Sequence, residues 1–209
     1  MAKRETSNSQ LRGASSRRGG SGRDRLIDAA RELFWENGFE STSPHDLYAF
    51  SGVGQGSFYH HFTGKLDLLH AVLEDAASEK IGVLDQLTAA ATSPLACLRS
   101  YLALDRDGCR GCRLGRFAYE SSIAKPEVHG PIRRYLEAAE RFISTHVKAA
   151  QEAGELSDHL DASTITSLIL TAVQGGYILA RAHRNPQWLE ESLSAASRLL
   201  ESLVPAGNR

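Results

Sequence analysis

Hydrogen-bonding side chains are concentrated in the stretch from Gln55 to Lys65. Glutamine and serine can bond to the edges of bases, while a tyrosine hydroxyl and a lysine ammonium suit phosphate oxygens. The polar side chains of this stretch belong to Gln55, Ser57, Tyr59, His60, His61 and Lys65. Phe58 and Phe62 are the members suited to a core, and Gly56 would allow a close backbone approach to a duplex. The stretch therefore predicts either recognition of nucleic acid or a solvated helix surface.

A second reactive group is the sequence Cys109-Arg110-Gly111-Cys112. We expect it to form a glycine-rich turn that opens a helix, with Arg113 and Arg116 nearby. A helix N-terminus and adjacent cations favour the thiolate form of cysteine. Three interpretations stay open: a structural turn with inert thiols, a redox or electrophile sensor, and half of a zinc site. The zinc interpretation is the weakest, because neither Cys97 nor His129 adds a paired ligand spacing.

The elements around Gln55 form a helix-turn-helix pattern. Leu26, Ile27, Ala30, Leu33 and Phe34 make an apolar stripe typical of a first helix, which Asn37-Gly38 should end. Ser43-Pro44-His45-Asp46 contains an N-cap hydroxyl, a proline and a carboxylate that favour the start of a short second helix reaching about Ser51. Gly52-Val53-Gly54 is a tight turn that should bury Val53, and a third helix follows from Gln55 to Phe62. Such a third helix has the size of an element that enters a DNA major groove.

The remainder of the chain also has helical periodicity. Lys65 opens a longer helix, and further helices are predicted at about 94–106, 113–124, 128–153, 162–184 and 187–203. No alternation typical of strands and no internal repeat is found. The predicted fold class is all-α.

Charge is unevenly distributed along the 209 residues, although the formal net charge is only -1. Residues 1–25 contain seven cations against Glu5 and Asp24, a net charge of +5, which leaves -6 on the remainder. This pattern is typical of a basic arm with a polyanionic partner. Residues 1–19 are polar and rich in Ser, Gly and Arg, so we expect them to be disordered.

Other features exclude several classes of protein. Three cysteines are too few for a disulfide framework and favour a reducing, cytoplasmic location. No stretch approaches the roughly 18 consecutive apolar residues of a membrane span, and no secretory signal is found. Catalytic triads, phosphate-binding glycine loops and metalloprotease motifs are also lacking, so we expect no enzyme, cofactor or metal.

The N-terminal sequence resembles the TetR family of bacterial transcriptional regulators. The resemblance rests on Ala29-Ala30-Arg31-Glu32-Leu33-Phe34, on residues 38–43, on Gly52-Val53-Gly54-Gln55-Gly56-Ser57-Phe58-Tyr59-His60-His61-Phe62, and on Lys65. It implies a DNA-binding head at residues 20–80 and a helical body at 81–209 that binds a ligand and dimerises. It also implies repression that a small molecule relieves.

Carried over residue by residue, the resemblance implies two sets of contacts with double-stranded DNA. Phosphate contacts are implied for Thr42, Ser43, His45, Tyr59 and Lys65. Base contacts are implied for Gln55, Ser57 and His60. The sequence departs from the family pattern at Gly54, where a serine or threonine cap is usual, at Pro44-His45 and at Tyr48.

Two further sites are expected in the body. The last two helices have apolar stripes resembling the family's four-helix dimer bundle, with Ile169, Val173, Gly176, Tyr177, Trp188, Leu193 and Leu200 as the predicted interface. A pocket for an unidentified small-molecule effector is expected from Tyr101, Cys112, Phe117, Tyr119, Phe142 and His146.

The sequence thus predicts a homodimeric repressor released from a palindromic operator by a small-molecule or thiol-reactive effector. Two alternatives stay open. A thiol-disulfide enzyme would use Cys109 and Cys112, but no βαβ pattern supports it. A helical scaffold for protein contacts would leave the basic arm and the polar third helix unexplained.

Overall fold

The computed structural model describes residues 20–206. Over this range the protein is all-α, as predicted, and contains no strand. The eight α-helices of the described range are α1 Gly22–Asn37, α2 Pro44–Ser51, α3 Gln55–His61, α4 Lys65–Ala90, α5 Pro94–Leu102, α6 Pro126–Glu152, α7 Ala162–His183 and α8 Gln187–Ser202. The predicted basic arm, residues 1–19, lies outside the described residues.

Helices α1, α2 and α3 form a small head on the N-terminal part of α4. Its core contains Leu26, Phe34, Leu47, Val53 and Phe58, each at most 3% exposed. Gly52 adopts a left-handed conformation with φ of 66°, which turns the chain so that Val53 enters the core as predicted. The predicted first three helices are confirmed.

The body consists of α5 to α8 and the remainder of α4. Helix α6 packs against α4, α5 and α7, and α7 packs against α8. Since α4 runs unbroken through residue 80, the expected boundary between head and body falls inside one helix.

Two predicted helices of the body were wrong in extent or type. The helix expected at 94–106 ends at Leu102, because the Arg106 guanidinium folds back and donates to the carbonyls of Tyr101, Leu102 and Leu104. The helix expected at 113–124 is a pair of short 3₁₀ helices, Gly115–Tyr119 and Ser121–Ala124. Gly115, which lies inside the expected range, disfavours a continuous α-helix there.

Helix α6 begins earlier than predicted and contains Pro131. A proline at this position cannot donate to the carbonyl of Glu127. The Nδ1 atom of His70 lies 2.9 Å from that carbonyl oxygen, so α4 supplies the missing donor and α6 continues through the proline.

Helix α7 is long and apolar enough to cross a membrane, a property shared by core helices of soluble proteins. One of its faces packs on α6 and α8, and another is exposed and apolar.

Candidate nucleic-acid interface and effector cavity

Helix α3 separates its apolar and polar side chains onto two faces. Phe58 is 1% exposed and its ring contacts Tyr48 at 5.5 Å between centroids. The exposed members of the helix are Gln55, Gly56, Ser57, Tyr59 and His60. Because the apolar anchor is on the inner face, the polar face points away from the protein, where it can meet a groove of DNA.

The start of α2 lies in a tightly hydrogen-bonded turn. The Ser43 hydroxyl donates to the Asp46 carboxylate at 2.7 Å and accepts from the backbone nitrogen of Asp46 at 3.2 Å. The Ser43 hydrogen bonds lower the pKa of the Asp46 carboxyl. The neighbouring His45 is exposed. Ser43 therefore has a structural role as a cap, and His45 remains free to reach outward.

The predicted DNA contact of Thr42 is corrected. Its side chain is 1% exposed, and the hydroxyl donates to the carbonyl of Gly38 at 2.7 Å. Thr42 closes the turn between α1 and α2 and cannot present its hydroxyl to a phosphate.

Lys65 has an internal role that the sequence did not indicate. Its Nζ donates to the carbonyls of Phe39 and Thr42, both at 2.8 Å, and lies 4.2 Å from the centre of the Phe39 ring. Burial lowers the pKa of the Lys65 ammonium. Two of its three donors are used inside the head, which leaves one for a phosphate.

Residues 110–121, which we call the linking segment, tie the body to the head. Arg116 Nη1 donates to the carbonyls of Trp35 and Glu36 at the end of α1. These carbonyls lack helical partners, and a cation is favourable at a helix C-terminus. Glu120 accepts from the backbone nitrogens of Phe39 and Glu40, both at 3.1 Å. The turn after α1 is thus held by a side-chain pair from the body.

Trp35 adds a second connection at the same place. Its indole Nε1 donates to the carbonyl of Gly111 at 3.1 Å, and the guanidinium groups of Arg110 and Arg113 lie 3.6 and 4.5 Å from its ring centre. Arg110 also pairs with Glu32 at 2.8 Å. Any movement of the linking segment therefore acts on α1 directly.

A cavity of about 690 Å³ lies between the linking segment, α6 and α7. Its lining combines polar groups with apolar walls: Cys112, Arg116, Glu120, Gln174 and Arg181 are polar or reactive, while Tyr119, Leu136, Tyr177 and Ile178 are largely apolar. Mostly apolar walls with a few polar groups are typical of small-molecule sites of this size. Arg116 and Glu120 belong both to this lining and to the junction with the head.

The predicted pocket residues divide into two groups. Cys112 and Tyr119 line the cavity, and Phe117 is buried beside them at 2% exposure. Tyr101, Phe142 and His146 form a separate aromatic cluster. The ring centroids of Tyr101 and Phe142 are 5.5 Å apart, and those of Phe142 and His146 are 4.5 Å apart. Their prediction as pocket residues is corrected, because these side chains pack on one another and do not line the cavity.

The cysteines differ in surroundings. Cys97 and Cys112 are buried, Cys109 is exposed, and all three are free. Burial raises the pKa of the Cys97 thiol. The expected α-helix after Cys112 is replaced by a 3₁₀ helix, and the Cys112 sulfur accepts from the backbone nitrogen of Gly115 at 3.3 Å. Within residues 20–206, no three His, Cys, Asp or Glu side chains lie close enough together to hold a metal ion.

Most members of the predicted dimer stripe are already buried by contacts within one chain. Ile169, Val173, Gly176, Tyr177 and Leu200 are buried inside a single chain by the packing of α7 on α8. A Cβ atom on Gly176 would lie 2.8 Å from Leu189 Cδ1, so this glycine permits contact within the chain. Leu193 is half-buried, and Trp188 is exposed.

A different face of α7 and α8 is apolar and exposed. It includes Leu168 at 43% exposure, Ile178 at 49% and Leu199 at 41%, and a Cβ atom on Gly175 would meet nothing within 4 Å. Exposed apolar patches are a common feature of interaction surfaces.

Sequence reasoning missed the importance of Glu120, Gln174 and Arg181. The sequence did contain one signal that an acceptor was needed: in the turn Gly38-Phe39-Glu40, the backbone N–H groups of Phe39 and Glu40 have no helical partners and require acceptors from elsewhere in the chain. Nothing in the sequence identified Glu120, 81 residues away from Phe39, as that acceptor.

Comparison with known families gives two matches. Residues 26–72 match the family model described as "Bacterial regulatory proteins, tetR family", and residues 84–196 match "Tetracyclin repressor-like, C-terminal domain". Together these cover most of the described head and body.

Individual proteins are similar along most of their length. The HTH-type transcriptional repressor DhaR of Mycobacterium sp. (strain GP1) is 26% identical over 188 residues, 88% of this chain and 93% of DhaR. The HTH-type transcriptional repressor ComR of Escherichia coli K12 is 27% identical over 191 residues, 87% of this chain and 90% of ComR. A TetR-family regulator structure from Agrobacterium tumefaciens has the same fold, with a TM-score of 0.78 at 22% identity over 88% of this chain and 98% of that one.

Proposed function

Because the chain belongs to the TetR family of bacterial transcriptional regulators, we propose that it is a cytoplasmic homodimeric repressor of a palindromic operator, released by a small-molecule effector. Members of this family are regulators and not enzymes. The observation that carries the proposal is the exposed polar face of α3 above the buried Phe58. Repression as the sense of regulation is supported by the similarity to DhaR and ComR, both repressors.

In this proposal α3 lies in the major groove. Gln55, Ser57 and His60 contact base edges, and each good contact discriminates by about 1–3 kcal/mol. His45, Tyr59, the backbone around Ser43 and the third donor of Lys65 contact phosphates. The basic arm at residues 1–19 adds affinity that is independent of sequence and falls with salt.

The proposed dimer forms through the exposed apolar face of α7 and α8. Leu168, Ile178 and Leu199 supply apolar area, and the open position at Gly175 allows a partner helix to approach. An apolar groove of about 230 Å³ between these helices can accept side chains from the partner. A two-fold dimer places two α3 helices in successive major grooves, about 34–36 Å apart, which requires a palindromic operator.

The proposed allosteric connection is the linking segment. Arg116 and Glu120 line the cavity and also hold the backbone at the end of α1. An effector that moves either side chain changes the position of the head. Binding of the effector and binding of DNA are thermodynamically linked. The effector therefore releases DNA only to the extent that it binds the DNA-free arrangement more tightly than the DNA-bound arrangement.

A thiol-reactive effector is a second proposed mode, because Cys112 lines the cavity. In this mode the Cys112 thiolate attacks the β-carbon of an unsaturated carbonyl compound. The new S–C bond forms as the C=C electron pair moves to the carbonyl, and the enolate takes a proton from water. The thiol proton is lost to solvent beforehand.

DNase footprinting on the DNA upstream of the chain's own gene, at two salt concentrations, tests the main proposal. We expect a palindromic footprint whose affinity falls steeply with salt. Gln55→Ala should reduce sequence preference while keeping the salt dependence, and Gln86→Ala, an exposed position on α4, should behave as the parent. Weak retention of all sequences alike would contradict the proposal.

A further inference from the structure

One polar group of the cavity lacks a partner. Gln174 lines the cavity, and its Nε2 atom is buried with no hydrogen-bond partner among residues 20–206. Leaving a buried donor unpaired is costly, because the group has lost its hydrogen bonds to water. A ligand that brings an acceptor oxygen to this atom removes that cost, so the cavity favours ligands with an acceptor group.

The charges around Gln174 favour an anionic acceptor. Arg116 is occupied by Glu120 and by the α1 carbonyls, and Glu120 itself accepts from two backbone nitrogens. Arg181 lines the same cavity, but within the described part of the chain its guanidinium makes a single hydrogen bond, to the carbonyl of Arg110 at 2.7 Å. No carboxylate lies within ion-pair distance of it there. The site therefore has one uncompensated positive charge.

We propose that this cavity binds a small organic carboxylate, with its carboxylate between Arg181 and Gln174; this inference rests on the proposed ligand-responsive function. Arg181 supplies a charged donor with the fork geometry that fits a carboxylate, and Gln174 supplies a neutral donor. The apolar body of the acid packs on Leu136, Tyr119 and Tyr177. Neutral analogues of the same shape lose the charge-assisted bond and bind less tightly.

Isothermal titration of the full-length protein without DNA tests this proposal. The probes are benzoate, 2-naphthoate and cyclohexanecarboxylate, each compared with its neutral primary amide. We expect at least one acid to bind about tenfold or more tightly than its amide, the difference expected of one charge-assisted hydrogen bond. The proposal is overturned if no acid binds more tightly than its amide.

Two variants locate the binding. Arg181→Gln should remove the preference for the acid, and Gln174→Glu, which places a negative charge in the cavity at nearly unchanged volume, should abolish acid binding and spare the amide. Arg133→Gln, on the exposed surface of α6, is the control and should bind as the parent. Unchanged acid binding in both cavity variants, with thermal unfolding that shows them folded, would also overturn the proposal.

Failure of this inference is distinguishable from failure of the proposed function. A gel shift with operator DNA and no added acid reports only on the regulator itself. Acid binding without any operator binding would contradict the proposed function, and operator binding without acid preference would contradict only the ligand class.

Discussion

The carboxylate oxygens of Glu120 lie 3.1 Å from the backbone nitrogens of Phe39 and Glu40, so a side chain of the body supplies the acceptors that the first turn of the head lacks. Glu120 also lines the cavity. The same carboxylate thus belongs to the cavity proposed for the effector and to the hydrogen bonds that hold the turn after α1. Gly38 permits this approach, because a Cβ atom there would lie 2.8 Å from Glu120 Oε1.

Glu120→Ala should weaken the connection between effector and DNA. It leaves two backbone donors without their acceptors, so we expect about 1–3 kcal/mol of lost stability and a smaller effect of the effector on operator affinity. Thermal unfolding and gel shifts with and without effector measure the two effects. Glu137→Ala, which removes only surface ion pairs with Arg133 and Arg141, should change neither. Full effector response in Glu120→Ala would exclude this residue as the connection.

Gly56→Ala should raise stability and lower operator affinity at once. Gly56 is in α3 and a Cβ atom there meets nothing within 4 Å, so alanine stabilises the helix by about 0.5–1 kcal/mol. On DNA the added methyl group lies against the duplex and displaces a contact, a loss of about 1–3 kcal/mol. Gly82→Ala in α4, also without neighbours within 4 Å, should stabilise without affecting DNA binding. Equal DNA affinity in both variants would place α3 outside the groove.

Leu168→Glu should dissociate the proposed dimer while leaving the monomer folded. Leu168 is 43% exposed in the single chain, so a charge there is tolerated in the monomer but is costly when a partner buries it. Analytical ultracentrifugation should show monomers, and operator affinity should fall. Thr145→Glu, at an exposed site on α6, is the charge-matched control. A stable Leu168→Glu dimer would assign the interface to another face.

Cys112→Ser should abolish release of DNA by a thiol reagent such as N-ethylmaleimide. Cys112 belongs to the linking segment and lines the cavity, whereas Cys109 is exposed. Cys109→Ser should therefore keep the response. Mass spectrometry of intact protein counts the adducts, and gel shifts measure release. Parent-like release in Cys112→Ser with an adduct only on Cys109 would remove Cys112 from the mechanism.

Asp161 should contribute to stability in a defined pH range. It caps α7 by accepting from Thr164, and hydrogen bonds from Ser163 and Thr164 lower the pKa of its carboxyl from 3.8 to about 2. Because the folded-state pKa is lowered, the stabilisation is present above pH 3.8 and is lost as the pH falls towards 2.

Thermal unfolding between pH 5 and pH 2 checks this expectation. Asp161→Asn keeps a capping oxygen but cannot titrate, so its stability should fall less steeply than that of the parent over this range. Glu191→Gln, at an exposed position without hydrogen bonds among the described residues, should follow the parent. Parallel curves for the parent and Asp161→Asn would contradict the role of this cap.

The head was predictable because its signals are local. The Ser43-Asp46 cap, the Gly52 turn and the apolar pair Phe58 and Phe62 in a polar stretch are each signals within a few residues of one another. The burial of Thr42 and the internal hydrogen bonds of Lys65 were not foreseen, since both side chains donate to carbonyls of a turn whose shape depends on tertiary packing.

The long helices of the body were predictable, but which of their faces are buried was not. Helix α7 has apolar residues almost all round, so periodicity alone cannot separate Ile169, which packs inside, from Leu168, which is exposed. The cavity could not be predicted either, because Gln174 and Arg181 meet the linking segment only in the folded chain.

Trp35 gives this protein a built-in optical reporter. Its indole, bonded to Gly111 and beneath two guanidinium groups, emits with a wavelength and intensity that depend on those neighbours. The chain has two tryptophans, so Trp188→Phe leaves Trp35 as the single emitter. Its fluorescence then reports in real time on any change in the contact between α1 and the linking segment, without any attached dye.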